Sequence, residues 1–387
     1  MKKAKKFLLN LLAFASVSAF ALGVAACDDT GAQGAKGDKG ETGEQGVGIE
    51  CVQVDENGNL VITLTDGTVL PAIEFPANEP IENGATHYLQ YQKIVGKDEY
   101  RLIGLGLAAE SDIVISSTYN GLPVTEIAES TFEDVSHISS VIIPDTITTI
   151  GNKAFHNCDG LTNVTIPNSV TTIGYDAFYH CEKLESITIG NSVTTIGYRA
   201  FPNCNNLTSV YYAGDIAGWC AIEFDGCYAT PLINGADLYI NNEKIVDLVI
   251  PDGVETVNDY AFYDCDGLTS VTIGASVKII GSESFYDCDG LTSITIVNSV
   301  TRIGVGAFES CNNLINITIP DSVTHIGLMA FSDCPNLRNV IFEDTSTWYY
   351  YWEKPENRTQ LNANELSDVE TAAELLKRYS DYFWYKL

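Results

Sequence analysis

Cysteine is the residue whose spacing here invites chemistry. Cys158, Cys181 and Cys204 stand 23 residues apart, and so do Cys265, Cys288, Cys311 and Cys334. A regular thiol column could ligate metal, form disulfides or supply nucleophiles. Val135 fills the equivalent place in the first unit, and a position that valine can take is not an obligatory ligand. The five histidines (His87, His137, His156, His180 and His325) make no H-x-x-x-H pair, and no C-x-x-C occurs. Neither a G-x-S-x-G elbow nor a phosphate-binding loop is present. Asp159, Glu182, Asp266 and Asp289 follow the cysteines, at positions where carboxylates serve turns and solvation. No nucleophile is paired with a base, so the expectation is a protein that is not an enzyme and takes no metal or cofactor. The column thiols then read as small, buried, weakly hydrogen-bonding groups. Disulfides between stacked neighbours fit poorly, because parallel stacking points the Cβ atoms the same way. Cys51, Cys220 and Cys227 lie off the column. Cys220 and Cys227 share one irregular segment, and in an exported chain they are a candidate disulfide, set against free packing thiols.

The elements that hold these residues are periodic. Units begin at Ile127, Ile150, Ile173, Ile196, Val257, Ile280, Ile303 and Ile326. The sixth position is always phenylalanine, from Phe132 to Phe331, and the twelfth is Leu or Ile. An L-x-x-V-x-I pattern follows, in which Val164 and Ile166 face one side of a short strand and Asn163 and Thr165 the other. One such coil cannot bury its apolar side alone, so the coils must stack as parallel strands. The phenylalanines form a second interior column, and the glycine of each "IG" pair allows a tight backbone. Spacing breaks between Ile196 and Val257, which places an insertion at 219–256. Within it, "LYINNEKI" reads as a hairpin and "LVIPDGVET" as a returning strand. The fold class is mainly β: a solenoid of stacked short parallel strands over 127–348, with a small β-hairpin module at 51–77. A cap at 85–126 precedes the solenoid. A second cap at 349–387 holds a short helix, for which Ser367-x-x-Glu370 reads as a capping box. In the module, "LVITLTDGTVLPA" reads as the stronger hairpin.

The N-terminus is an export signal. "MKKAKK" precedes the apolar stretch Phe7 to Gly23 and the small residues before Cys27. "VAAC" resembles the bacterial lipobox, which implies cleavage after residue 26 and a diacylglycerol on Cys27. Loss of the four lysines of residues 1–26 takes the formal charge from −30 to −34. So acidic a chain repels phosphate backbones and anionic lipid heads, so nucleic acid is not an expected partner and the membrane is reached through the lipid. Residues 27–50 hold six G-X-Y triplets without proline. This collagen-like segment is read as a hydrophilic spacer, with trimer formation as the alternative.

"IGYDAFYHCEKLESITIGNSVTT" resembles the 23-residue leucine-rich repeats of BspA-like bacterial surface proteins, and the resemblance covers about Ile113 to Phe342. It implies that the cysteine column is tied to backbone groups, that Ile113 to Ile127 form a first, degenerate coil, and that the protein serves adhesion or macromolecular recognition. The implied ligands are host or extracellular-matrix proteins; surface glycans in nutrient capture, or a structural envelope role, are the alternatives. The candidate binding face is the outward strand set Asn163, Thr165, Ser186, Thr188, Ser270, Thr272, Ser293 and Thr295. Further candidates are Tyr179, Tyr263 and Tyr286, the irregular Tyr211, Tyr212 and Trp219, and a possible sugar platform at Trp348 to Trp352, where cap packing is the favoured reading.

Overall fold

The structure is a computed structural model and describes residues 49–54, 60–65, 67–69, 84–106, 108–352 and 354–387. The expected export signal, Cys27 and the G-X-Y segment lie outside the described residues. The chain divides after Pro80 into two units. In the first, Ile49–Val54 pairs antiparallel with Leu60–Leu64. Across Asp66-Gly67, where a second pairing is expected, a bridge joins Thr63 to Val69 among the described residues.

The second unit is a solenoid with two strand columns. One column stacks three- and four-residue strands in parallel, in two runs: Asp112–Val114 to Asp237–Ile240, and Asp247–Val249 to Asn339–Phe342. The runs contribute six and five parallel strands, or eleven coils. The other column is built of two-residue strands such as Thr172–Ile173. Alternation decides the faces: in Ser186–Ile189 the isoleucines are buried and Ser186 and Thr188 are partly exposed.

The expected insertion is in part solenoid. Glu223–Phe224 continues the short-strand column, and Asp237–Ile240 continues the long one. The hairpin is present as well: Asp237–Ile240 turns back onto Glu243–Lys244 through Asn241 and Asn242, both left-handed, the conformation a two-residue hairpin turn requires. That turn ends the first run, and Asp247–Val249 starts the second.

Core packing is continuous although the sheets are not. One apolar cluster runs from Leu89 to Trp384. Phe132, Phe155, Phe178 and Phe201 stack ring on ring at 5.0–5.3 Å, and Phe262, Phe285, Phe308 and Phe331 at 5.2–5.5 Å. Each buried ring contributes about 1.5–3 kcal/mol of hydrophobic stabilisation. The glycine of each "IG" pair sits where one coil crosses the next. A Cβ on Gly197 would lie 2.6 Å from the Tyr175 amide nitrogen, so close approach, not a left-handed backbone, selects glycine.

Both ends are covered. At the N-terminal end, Tyr100–Gly104 pairs with Leu122–Ile127 and carries Gln90–Lys93 at its outer edge. At the C-terminal end, Phe383–Lys386 closes the short-strand column by pairing antiparallel with His325–Ile326. The helix Val369–Arg378 buries Ala372, Ala373, Leu375 and Leu376. Its N-cap is Asp368, whose carboxylate accepts from the Thr371 amide at 2.8 Å. Ser367 instead ends the preceding turn Ala363–Leu366, so the expected capping box does not form. The nearer carboxylate won, because Ser367 already belongs to the helical turn before it.

Candidate binding surface

The cysteines are structural. Cys158, Cys181, Cys204, Cys288, Cys311 and Cys334 each donate to the carbonyl of the phenylalanine one coil back, at 3.1–3.2 Å. Cys181 thus reaches Phe155, and Cys204 reaches Phe178. Every thiol of the column is buried and free. Burial pushes Cys158, Cys265 and Cys334 up to about 12, far from a reactive thiolate.

The candidate Cys220–Cys227 disulfide is not formed; both thiols are free, the other reading of this pair. Cys220 ends the helix Ile216–Cys220 inside the core, with Tyr212 and Asp215 around it. Cys227 opens a separate turn, beside Glu283 and Tyr263. Two different surroundings hold the two side chains.

Among the described residues no group of three or more His, Cys, Asp or Glu side chains could hold a metal ion. What the coils do assemble is a surface. Strand register aligns Asn163, Ser186, Ser209 and Asp237 in one row. Thr165, Thr188, Tyr211 and Tyr239 form the row beside it. In the second run Asp247, Ser270, Ser293, Asn316 and Asn339 form a row, and Val249 and Thr272 open its companion. Each run begins with the same clamp. Asp112 accepts from the hydroxyls of Ser139 and Ser140 at 2.9 and 2.7 Å, and Asp247 from Thr269 and Ser270 at 3.0 and 2.6 Å. Those hydroxyl bonds hold both carboxyls below the usual range.

Not every hydroxyl is available. Thr148, Thr171 and Thr194 spend theirs on the carbonyl one coil back, at 3.1–3.2 Å. On the outward rows the hydroxyls of Thr165, Ser186, Thr188, Thr272, Ser293 and Thr295 have no partner among the described residues, and Ser270 is held by Asp247. The structure therefore brings the expected face together. It also adds Tyr239, which stacks on Tyr211 at 4.8 Å where the two runs meet. Sequence reading treated Tyr239 as part of a hairpin. Its alternation with Leu238 and Ile240, both buried, was the signal.

Other expected sites resolve differently. Tyr212 and Trp219 are buried, so irregularity in that segment reflects packing. Tyr179, Tyr263 and Tyr286 are half-buried, Tyr263 stacks on Tyr286 at 4.6 Å, and Arg199 lies over Tyr179 at 4.5 Å. Trp348 belongs to the core, whereas Trp352 is exposed.

The repeats match the BspA-type leucine-rich repeat region in six copies, over 122–230 and 235–351. The chain belongs to the BspA-type leucine-rich repeat family. Similar solved structures include the T. pallidum leucine-rich repeat protein TpLRR, 24% identical over 59% of this chain and 88% of that one, at a TM-score of 0.38. A leucine rich cell surface protein from Faecalibacterium prausnitzii is 22% identical, covering 67% and 94%, at 0.27. The pneumococcal vaccine antigen PcpA is 19% identical, covering 67% and 80%, at 0.38. No curated protein matches. In this BspA-type repeat protein no helix among the described residues is long and apolar enough to cross a membrane.

Proposed function

We propose that this protein is exported, anchored by a lipid on Cys27, and recognises a protein partner through the outward strand rows. The observation that carries the reading is the register-matched face. Unpaired hydroxyls from successive coils flank a stacked Tyr211–Tyr239 pair, and tyrosine beside small hydroxyl residues is the composition of adaptable protein-binding surfaces. Contacts spread over many coils are individually weak, and many anchored copies would multiply them. Recognition, not catalysis, also fits thiols that are buried and hydrogen-bonded. Host or extracellular-matrix proteins are the partners the family implies, and adhesion is the corresponding role.

The test compares the soluble chain lacking residues 1–26 and its Tyr211→Ser/Tyr239→Ser variant on immobilised matrix proteins. Binding that the double substitution weakens by about tenfold or more supports the reading, since central aromatic anchors carry such losses. Binding that ignores the substitution, or no binding at all, counts against it. For the anchor, Cys27→Ala should release the full chain from membranes, and continued retention would rule the lipid out.

A further inference from the structure

We propose that the C-terminal cap carries a second site, a groove that binds a neutral pyranose unit of a glycan against Trp352. The groove is lined by Tyr350, Tyr351, Trp352, Asn357, Thr359 and Tyr382 and has a volume of about 280 Å³. That lies just below the roughly 300–1,000 Å³ of drug-sized ligand pockets, which suits one or two sugar units.

The argument begins with how the cap uses its aromatic residues. Tyr350 stacks on Tyr379 at 4.3 Å, and Tyr351 on Phe383 at 5.4 Å. Tyr349 stacks on Tyr385 and has Arg358 over it at 5.0 Å. Trp352 differs from all three. It meets Tyr382 edge to face at 5.9 Å and has no parallel partner among the described residues. It is also 55% exposed. The other three tryptophans are buried, and each indole N–H has a carbonyl acceptor: Ala261 for Trp219, Asp344 for Trp348 and Tyr379 for Trp384. The Trp352 N–H has none among the described residues. A large apolar plane and a donor are thus both left open at one place.

The polar groups of the groove define what would fill it. The Asn357 side-chain amide has no partner among the described residues and offers both donors and an acceptor. Thr359 adds a hydroxyl, shared with the Tyr350 phenol, and none of the six lining residues is charged. Arg358, between them in sequence, is occupied over Tyr349 and Tyr385. A pyranose matches this set: one ring face is a patch of C–H groups that lies flat on an aromatic plane, and its rim carries hydroxyls for amide and hydroxyl partners. The net charge of −30 disfavours uronic, sialic or sulfated sugars. The groove is on the cap and not on the strand rows, so it stands or falls independently of the protein-binding reading.

The experiment uses the full chain and exploits the tryptophans themselves. Three are buried, so acrylamide quenching of the accessible fluorescence reports Trp352. Maltohexaose, cellohexaose and mannohexaose are added in turn, with a hexagalacturonate as the charged control. At least one neutral oligosaccharide should shield Trp352 from acrylamide. Trp352→Ala should then weaken that ligand about tenfold or more in calorimetry, with an unchanged melting temperature. Asn357→Ala should weaken it by a smaller factor. The proposal is overturned if no neutral sugar shields Trp352, if only the galacturonate does, or if Trp352→Ala binds like the parent. Should Trp352→Ala melt early, the quenching result on the parent chain and Asn357→Ala still decide.

Discussion

The indole N–H of Trp219 donates to the carbonyl of Ala261 at 2.7 Å, across 42 residues of sequence. Trp219 sits on the helix that follows the first run's penultimate strand, and Ala261 precedes Phe262, the first ring of the second phenylalanine stack. No strand ladder joins the two runs among the described residues. Their junction depends on this bond, on Asn258, whose backbone and side-chain nitrogens donate to Cys220 and Ile222, on the Asn234 amide donating to Asp264, and on apolar contact. Trp219→Phe keeps much of the bulk and orphans a buried carbonyl, so it should destabilise by about 1–3 kcal/mol. Repeat solenoids unfold as coupled neighbours. Trp219→Ala should therefore split the urea transition into two steps, and a single unshifted transition would refute the junction's role.

The thiols give a second prediction. Cys227 is partly exposed, whereas Cys220 and the seven column thiols are buried. Alkylation of the folded protein should modify Cys227 ahead of Cys220 and the column thiols, which react only after denaturation. Early labelling of Cys181 or Cys288 would contradict the column. Mass measurement before and after reduction should show no disulfide between Cys220 and Cys227.

Ser284 occupies a place that alanine takes in other units, at Ala154, Ala177, Ala261 and Ala307. It is fully buried and its hydroxyl has no partner among the described residues. Removing an unsatisfied buried hydroxyl relieves a desolvation penalty of about 1–3 kcal/mol, so Ser284→Ala should raise the melting temperature. Thr131 is the contrasting case at the same unit position, because its hydroxyl donates to Leu102 and Ala128 at 3.0 and 2.8 Å. Thr131→Ala should destabilise by about 0.5–1.5 kcal/mol. Equal effects of the two substitutions would show that satisfaction does not matter here.

Acidification should first strengthen the fold and then weaken it. Burial, with Asp266 and Asp287 nearby, raises Asp264 to about 6 although the Asn234 amide donates to it. A carboxyl raised on folding binds its proton more tightly in the native state, so stability falls as pH climbs from about 4 to 6. Asp266, Asp287, Glu283 and Glu309 shift the same way, chiefly through burial. Asp344 runs opposite: Lys386 at 2.8 Å and Ser346 hold it at about 2. Its stabilisation is present above about pH 4 and disappears as pH drops toward 2. The melting temperature should therefore peak on the acid side of neutrality, and Asp264→Asn should flatten the decline between pH 4 and 6. A profile that Asp264→Asn leaves unchanged would rule this carboxyl out as the cause.

The repeat period carried the architecture into the sequence. A phenylalanine, a thiol and an L-x-x-V-x-I strand every 23 residues leave one arrangement that buries all three, so coil stacking, the buried columns and the outward hydroxyl rows were legible from spacing alone. Where the period breaks, local sequence lost its hold. The segment at 219–256 holds solenoid strands because Leu238 and Ile240 find the core of the preceding coil; their alternation marks a strand, but not which strand it joins. Tyr212 and Trp219 are buried by partners far along the chain. Asp368 took the N-cap because Ser367 was already committed. Trp348 and Trp352 stand in one aromatic run, yet one lies in the core and the other faces solvent. Composition cannot separate them; only the strand Phe383–Lys386, arriving from the far end of the chain to pair with Trp348–Tyr351, decided which ring was covered and which was left open.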